Sequence, residues 1–158
     1  KICNYKPISG FDLYGIGQNN PTFERKRMEI TLNRQAHQLY EGINSAGQSI
    51  NLGGGGQAVG PMEAVLMAGA ACASIDLEII LQKMQQGLTA LNIQVKGDRA
   101  DDEIPKVFRK VHLRFQLWGD LEASKVEKAI ALSVEKYCSV LTMVAKTAEV
   151  SFDYEIND

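Results

Sequence analysis

Hydrophobic and polar positions change period several times along the chain, and each change marks an element. Met28, Ile30 and Leu32 alternate with polar residues, the two-residue period of a strand. HQLYEGI (37–43) and QSINL (48–52) read as two more short strands, with Ser45-Ala46-Gly47 in the turn between them. A glycine loop follows, GGGGQAVGP (53–61). It ends in a proline suited to the first turn of a helix, where an N–H has no intrahelical partner anyway. MEAVLMAGAACASIDLEIILQKMQQ (62–86) then has helix length and few breakers, and Gly87 is expected to end it. Leu91, Ile93 and Val95 alternate as a strand and GDRADDEIP (97–105) reads as a charged turn. Val111, Leu113, Phe115 and Leu117 alternate as the partner strand of a hairpin. Asp120 is expected to start a second helix. Its stripe is Val126, Ala129, Ile130, Val134 and Tyr137, and helical character continues through Cys138 to the region of Lys146. Val150, Phe152, Tyr154 and Ile156 form a closing strand.

The order βββ-α-ββ-α-β does not alternate strand and helix one by one, which predicts an α+β fold rather than a parallel sheet. Residues 1–27 are rich in Gly, Asn, Pro and Tyr without a clear period, and read as an irregular extension ahead of one domain at 28–158. The first half of the 62–86 helix is apolar on nearly every side: Val65, Leu66, Met67, Ala68, Ala70, Ala71, Cys72, Ala73 and Ile75. A helix apolar all round has to be covered all round. A chain this small supplies one sheet for one side, so a second copy is expected to supply the rest, in an obligate homodimer. Gly69 and the alanines allow another helix to come close.

Composition adds bounds. A chain of 158 residues, 45% hydrophobic and 23% charged, suits one globular domain. Net charge is −2 and the longest basic cluster is FERKR (23–27), so no nucleic-acid partner is expected. The charge-free run Ala64–Ile75 falls short of the roughly 20 residues that span a bilayer, so no membrane is expected either. The first residues lack a basic-then-apolar signal pattern, although a chain beginning at Lys1 leaves a trimmed leader open. Three cysteines, Cys3, Cys72 and Cys138, are too few and odd in number for a disulfide-stapled secreted domain. In a reducing cytoplasm a bond between two of them is catalytic or sensory. Cys3 reads as a surface thiol.

Cys72 lies in the middle of the first helix and Cys138 near the end of the second. If both helices pack on one sheet, the sulfurs meet; the plain alternative is two small buried hydrophobes. A reactive thiol needs a positive group or helix N-terminus to lower a pKa near 8.5, and Cys72 is too deep in its helix to gain from the dipole at Pro61. On the strands preceding the helix the candidates are Arg25, Arg27 and Arg34, with Arg34 best placed at the end of the first regular strand. Glu63 precedes Cys72 by nine residues, roughly 13 Å along the axis and on nearly the opposite face. It reaches a thiol only in a site completed by a second copy, and otherwise serves as a first-turn carboxylate. The glycine run 53–56 has no following Gly-Lys-Ser/Thr and is not a phosphate loop. His37 and His112 show no metal-ligand spacing, and no GxSxG is present. Neither a metal nor another cofactor is expected.

GPMEAVLMAGAACASIDLEIILQK (60–83) resembles a hallmark of the OsmC/Ohr superfamily, in which a glycine loop and a proline lead into a helix with the nucleophilic cysteine eleven residues after the proline. Pro61 and Cys72 keep that spacing. EKYCSV (135–140) resembles the second hallmark, which carries the resolving cysteine, and with LSVEKYCSV and the closing SFDYEI the chain looks nearest to the YhfA-like branch. The resemblance covers residues 28–158. It implies two long central helices wrapped by sheets in an intertwined homodimer, and thiol-based reduction of hydroperoxides, organic ones preferentially, in stress defence. It implies Cys72 as peroxidatic nucleophile, Cys138 as resolving cysteine, and an external dithiol reductant. In the Ohr branch an arginine polarises the cysteine and a glutamate directly after the proline orients it. Here Met62 holds that position and Glu63 comes one later, a turn of about 100° around the helix. The competing functions are a redox-sensing stress protein that turns over little, and a non-enzymatic binder of a hydrophobic ligand at the dimer interface.

Overall fold

Two three-stranded sheets flank one long helix in the computed structural model, which describes residues 28–157. The N-terminal extension, with Cys3, Arg25, Arg27 and the FERKR cluster, lies outside the described residues. The first sheet is an antiparallel meander of β1 (Ile30–Ala36), β2 (Leu39–Asn44) and β3 (Ser49–Gly53). The glycine loop leads from it into α1 (Pro61–Lys83). The second sheet pairs β4 (Gly87–Arg99) with β5 (Phe108–Asp120) antiparallel, and β5 with β6 (Glu149–Asn157) parallel. The parallel pair follows from the helical crossover between β5 and β6, since parallel neighbours cannot be joined by a tight turn. The fold is α+β, with elements in the expected order.

Several boundaries differ from the sequence reading: β4 runs on to Arg99, into the expected 97–105 turn, β2 starts at Leu39 rather than His37, and three further differences have a local reason. Gly87 does not end α1; it opens β4, opposite Asp120. The helix stops at Lys83, and Gln85 takes the left-handed conformation (φ 57°) while Gln86 N–H bonds back to Leu81 O at 2.9 Å. Asp120 is the last residue of β5 rather than a helix start, and α2 (Ala123–Leu132) begins after Glu122. The second helix is not one long rod. After α2 the chain makes one π-helical turn, Ser133–Tyr137, then leaves helical geometry at Cys138 (φ −66°, ψ 103°) and restarts as the short α3 (Ser139–Val144).

The core lies between α1, α2 and one face of the second sheet. Leu77 and Ile80 of α1, Leu113, Phe115 and Leu117 of β5, and Val126 and Ile130 of α2 are fully buried. The strand period works as expected from Val111 to Leu117, where the odd positions of β5 point inward and the even ones, His112, Arg114 and Gln116, are polar and face outward. Arg114 donates to Glu155 at 2.7 Å, Gln116 to the same carboxylate at 2.6 Å, and His112 sits between Ser151 (2.9 Å) and Asp153 (3.0 Å).

The first sheet is built differently. Register places Ile30, Leu32, Arg34, Tyr40, Gly42, Ile50 and Leu52 on one face. Leu32 and Ile50 close over Gly42, where an added Cβ would lie 3.6 and 3.8 Å from them. Yet Ile30 is 65% exposed, Leu32 51% and Ile50 50%. The sheet meets α1 chiefly through β3. α1 is likewise half-covered, with Met67 and Ile75 exposed on its outer side. By length and composition α1 is long and apolar enough to cross a bilayer (mean hydropathy 1.9 over its most apolar window, 33% buried), which the short charge-free run alone understates. Its inner side nevertheless packs on the core sheet and on α2.

Candidate active site

Glycine at position 69 is what lets the second helical run reach α1. Gly69 is buried, and a Cβ there would stand 3.0 Å from Leu141 Cδ2, closer than Cβ contacts usually come, and 3.8 Å from Val140 Cγ1, an ordinary contact distance. α3 therefore rests directly on the α1 backbone, one turn before Cys72. The Cys138 thiol lies in this contact, fully buried, 3.7 Å from Gly69 O, to which its S–H donates. Its sulfur accepts the Leu141 N–H at 3.4 Å, which caps α3. Cys72 is half-buried on the same stretch of α1, and both thiols are free.

The π turn between α2 and Cys138 makes two further links. Cys138 N–H donates to Ser133 O at 2.8 Å, the i→i+5 bond that defines the turn. The Ser133 hydroxyl, itself buried, donates across to Ala73 O on α1 at 2.7 Å. Ser133 and Cys138 thus hold carbonyls on either side of Cys72, those of Ala73 and Gly69.

Burial in this apolar contact pushes the Cys138 thiol up to about 12, because a thiolate there would lose its water. The backbone N–H of Leu141 pulls the other way, while a side-chain hydrogen bond with Cys72 and the charge Cys72 would carry add to the rise. The resting form of Cys138 is the protonated thiol. One half-exposed and one buried thiol on facing elements can close into a disulfide when an oxidant supplies the two-electron change.

The other residues singled out in the sequence do not gather around the thiols in the single chain. Arg34 lies on the exposed apolar face of the first sheet, in register with Tyr40. Glu63 accepts the Gly60 N–H at 2.8 Å and so caps its own helix. His37 falls in the turn between β1 and β2, and His112 in the outward polar ladder of the second sheet. The glycine run ties the first sheet to α1 through Gly53 N–H to Val59 O (3.0 Å) and Gly54 N–H to Gln38 O (2.9 Å). An open cavity of about 590 Å³ between the C-terminal half of α1 and the start of β4 is lined by Ile75, Glu78, Ile79 and Gln86 among others, and not by the two cysteines. Among the described residues no cluster of three or more His, Cys, Asp or Glu suits a metal ion.

Sequence reading passed over two residues of this region. Asp76, four residues after Cys72, is a buried carboxylate at 4% exposure. Its signal was available, an acid set into the apolar run of the helix. Ser133 depends on a partner 60 residues away, Ala73, and nothing in the run around it points there, whereas the close helix approach expected at Gly69 is met by α3.

Residues 54–153 match the family model of the OsmC-like proteins. Over 118 residues the chain is 37% identical to Protein YhfA of Escherichia coli strain K12, a match spanning 73% of this chain and 87% of that protein. An OsmC-like protein from Mycoplasma pneumoniae shares the fold at a TM-score of 0.75 and 15% identity, covering 85% of this chain and 99% of that one. An organic hydroperoxide resistance protein OsmC from Legionella pneumophila does so at 0.64 and 15%, covering 82% and 96%.

Proposed function

We propose, for a chain that belongs to the OsmC-like protein family, that residues 28–158 form a two-cysteine hydroperoxide reductase with Cys72 as nucleophile and Cys138 as resolving thiol. The observation that carries this reading is the Cys138 thiol set against the α1 backbone one turn from Cys72. The Cys72 thiolate attacks the peroxide O–O bond, giving a sulfenic acid and the alcohol. The Cys138 thiol then displaces the sulfenic hydroxyl, the S–S bond forms and water leaves. A dithiol reductant restores both thiols by exchange and is itself oxidised. The hydroperoxide resistance protein that shares the fold supports an organic hydroperoxide as substrate. No other cofactor enters these steps. A dithiol-driven cycle belongs in a reducing compartment, the cytoplasm.

The active unit in this reading is a homodimer. The exposed apolar face of β1–β3 and the exposed side of α1 are two surfaces that a second copy would cover together. Arg34 lies on that face, so a partner's Arg34 is the group proposed to polarise Cys72, with a partner's Glu63 to orient it. The test is one equivalent of an organic hydroperoxide added to the reduced protein, followed by digestion without reductant. A Cys72–Cys138 linked peptide is expected, absent in Cys72→Ser. Two thiols still free after minutes would overturn the reading.

The high pKa of Cys138 favours a second reading, a redox sensor that oxidises but turns over little. Rapid single-turnover oxidation with negligible steady-state consumption of peroxide would select it.

A further inference from the structure

We propose that Ser133 is a positioning residue for the resolving step, a bracket that holds Cys138 in register with Cys72. This rests on the two-cysteine reading above. Serine inside a helical run usually bonds back to a carbonyl of its own helix or faces solvent. Ser133 does neither. Its hydroxyl crosses to Ala73 O at 2.7 Å, while its own carbonyl accepts Cys138 N–H at 2.8 Å. The loop of bonds closes through Cys138 S–H to Gly69 O at 3.7 Å. Both ends of the π turn are therefore hooked onto α1, on carbonyls four residues and about 6 Å apart along its axis. Cys72 lies within that interval.

The two hooks differ in kind. The S–H bond must break when Cys138 reacts, because the sulfur has to come within about 2.05 Å of the Cys72 sulfur. Its proton leaves with the sulfenic hydroxyl as water. The Ser133 bond takes no part in the chemistry and can persist throughout. The Cys138 sulfur then has to swing only within one turn of α1, with the other end of the π turn held. Without the hydroxyl, Cys138 keeps its burial but loses its fixed end.

Ser133→Ala is suited to test this because it orphans nothing: Ala73 O, inside α1, keeps its helical N–H. Two measurements on the full chain separate the inference from the reading beneath it. The first is the equilibrium of the Cys72–Cys138 disulfide against glutathione, which involves no peroxide. Ser133→Ala is expected to lower that constant about tenfold, the scale of a buried hydrogen bond that sets geometry, and Ser133→Thr, which keeps the hydroxyl, to lie within about threefold of the parent. The second uses one equivalent of cumene hydroperoxide. Sulfenic acid formation at Cys72, trapped with dimedone, is expected to keep its rate in Ser133→Ala, while closure of the disulfide slows about tenfold. Equal closure in Ser133→Ala and the parent overturns the inference, and so does equal impairment of Ser133→Ala and Ser133→Thr. A parent that closes with glutathione, in the pattern expected of the variants, but not with hydroperoxide supports the bracket while removing the peroxidase reading.

Discussion

The second sheet turns one polar face to water, whereas the first is largely exposed on both sides and one of its exposed faces is apolar. On the second sheet the outward positions of β5 and β6 are His112, Arg114, Gln116, Asp153 and Glu155, bonded to one another across the strands. On the first sheet the apolar exposed face carries Ile30, Leu32, Tyr40 and Ile50, with Leu32 and Ile50 closing over Gly42. The alternation in sequence is the same; what differs is that the apolar set of the first sheet is left uncovered in the single chain. An antiparallel sheet with one solvated face is expected to look like the second, apolar inside and polar outside. The first sheet has an apolar face without an inside, and that asymmetry is the argument for a second copy of the chain.

The largest effect is expected where the second sheet is already covered. Phe115 is fully buried and meets Phe152 edge-on, with ring centroids 6.4 Å apart. Phe115→Ala should cost about 3–5 kcal/mol in denaturant unfolding, through lost transfer energy and the cavity left behind. Next comes the uncovered face. Leu32→Asp combined with Ile50→Asp spares the core, since both side chains are about half exposed and pack only across the first sheet around Gly42. If a second copy covers the face, it should weaken association by about 2 kcal/mol or more, moving the mass in sedimentation toward the 17.4 kDa of one chain. An unchanged dissociation constant would remove this face from the interface and with it the proposed partner's Arg34.

The two sheets also differ in how legible they were. In β5 the apolar set Val111, Leu113, Phe115 and Leu117 is regular, and burial follows it residue by residue. The helix-to-strand boundaries were less legible, because Gln85 supplied the left-handed cap that glycine usually supplies, and Asp120, a good helix-starting residue, was taken up by the β4–β5 register. The π turn was not legible at all: a single i→i+5 bond adds one residue without changing which side chains are apolar. That is why Cys138 reads as a late position of a long helix and is found at the start of a short one. The cysteines themselves stood out only through the motifs around them, since a buried free thiol is ordinary in a core. Ser133 stands inside LSVEKYCSV, but nothing in that run points to its bond with α1.

Titration sharpens the comparison within the site. Folding raises the Cys138 pKa from 9.0 to about 12, so the folded protein holds a proton that the unfolded chain gives up. Stability from this source is full below pH 9 and is lost as pH rises from there toward 12. An alkaline unfolding series should therefore fall more steeply for the parent than for Cys138→Ala. Equal slopes would mean that the thiol is solvated and that the close contact at Gly69 opens freely. Alkylation at neutral pH should follow the same order, with Cys72 modified before Cys138 because only Cys72 is partly exposed.

The smallest effect is expected on the polar ladder. Glu155 accepts hydrogen bonds from Gln116 and from Arg114, and these hold its carboxyl below the usual range, Gln116 contributing most. A depressed carboxyl contributes stability above its unfolded pKa of 4.5, lost as pH falls through the lower folded value. Glu155→Gln should thus lower the neutral-pH melting midpoint only slightly, and the difference should shrink in strong acid, where the parent's carboxylate is protonated too. Added salt should shrink it as well, since the Arg114 pair is exposed and screened. Association should not change at all. A loss of dimer in Glu155→Gln would mean that the charged face, and not the apolar one, meets the second copy, and the contrast between the two sheets would then have the opposite meaning.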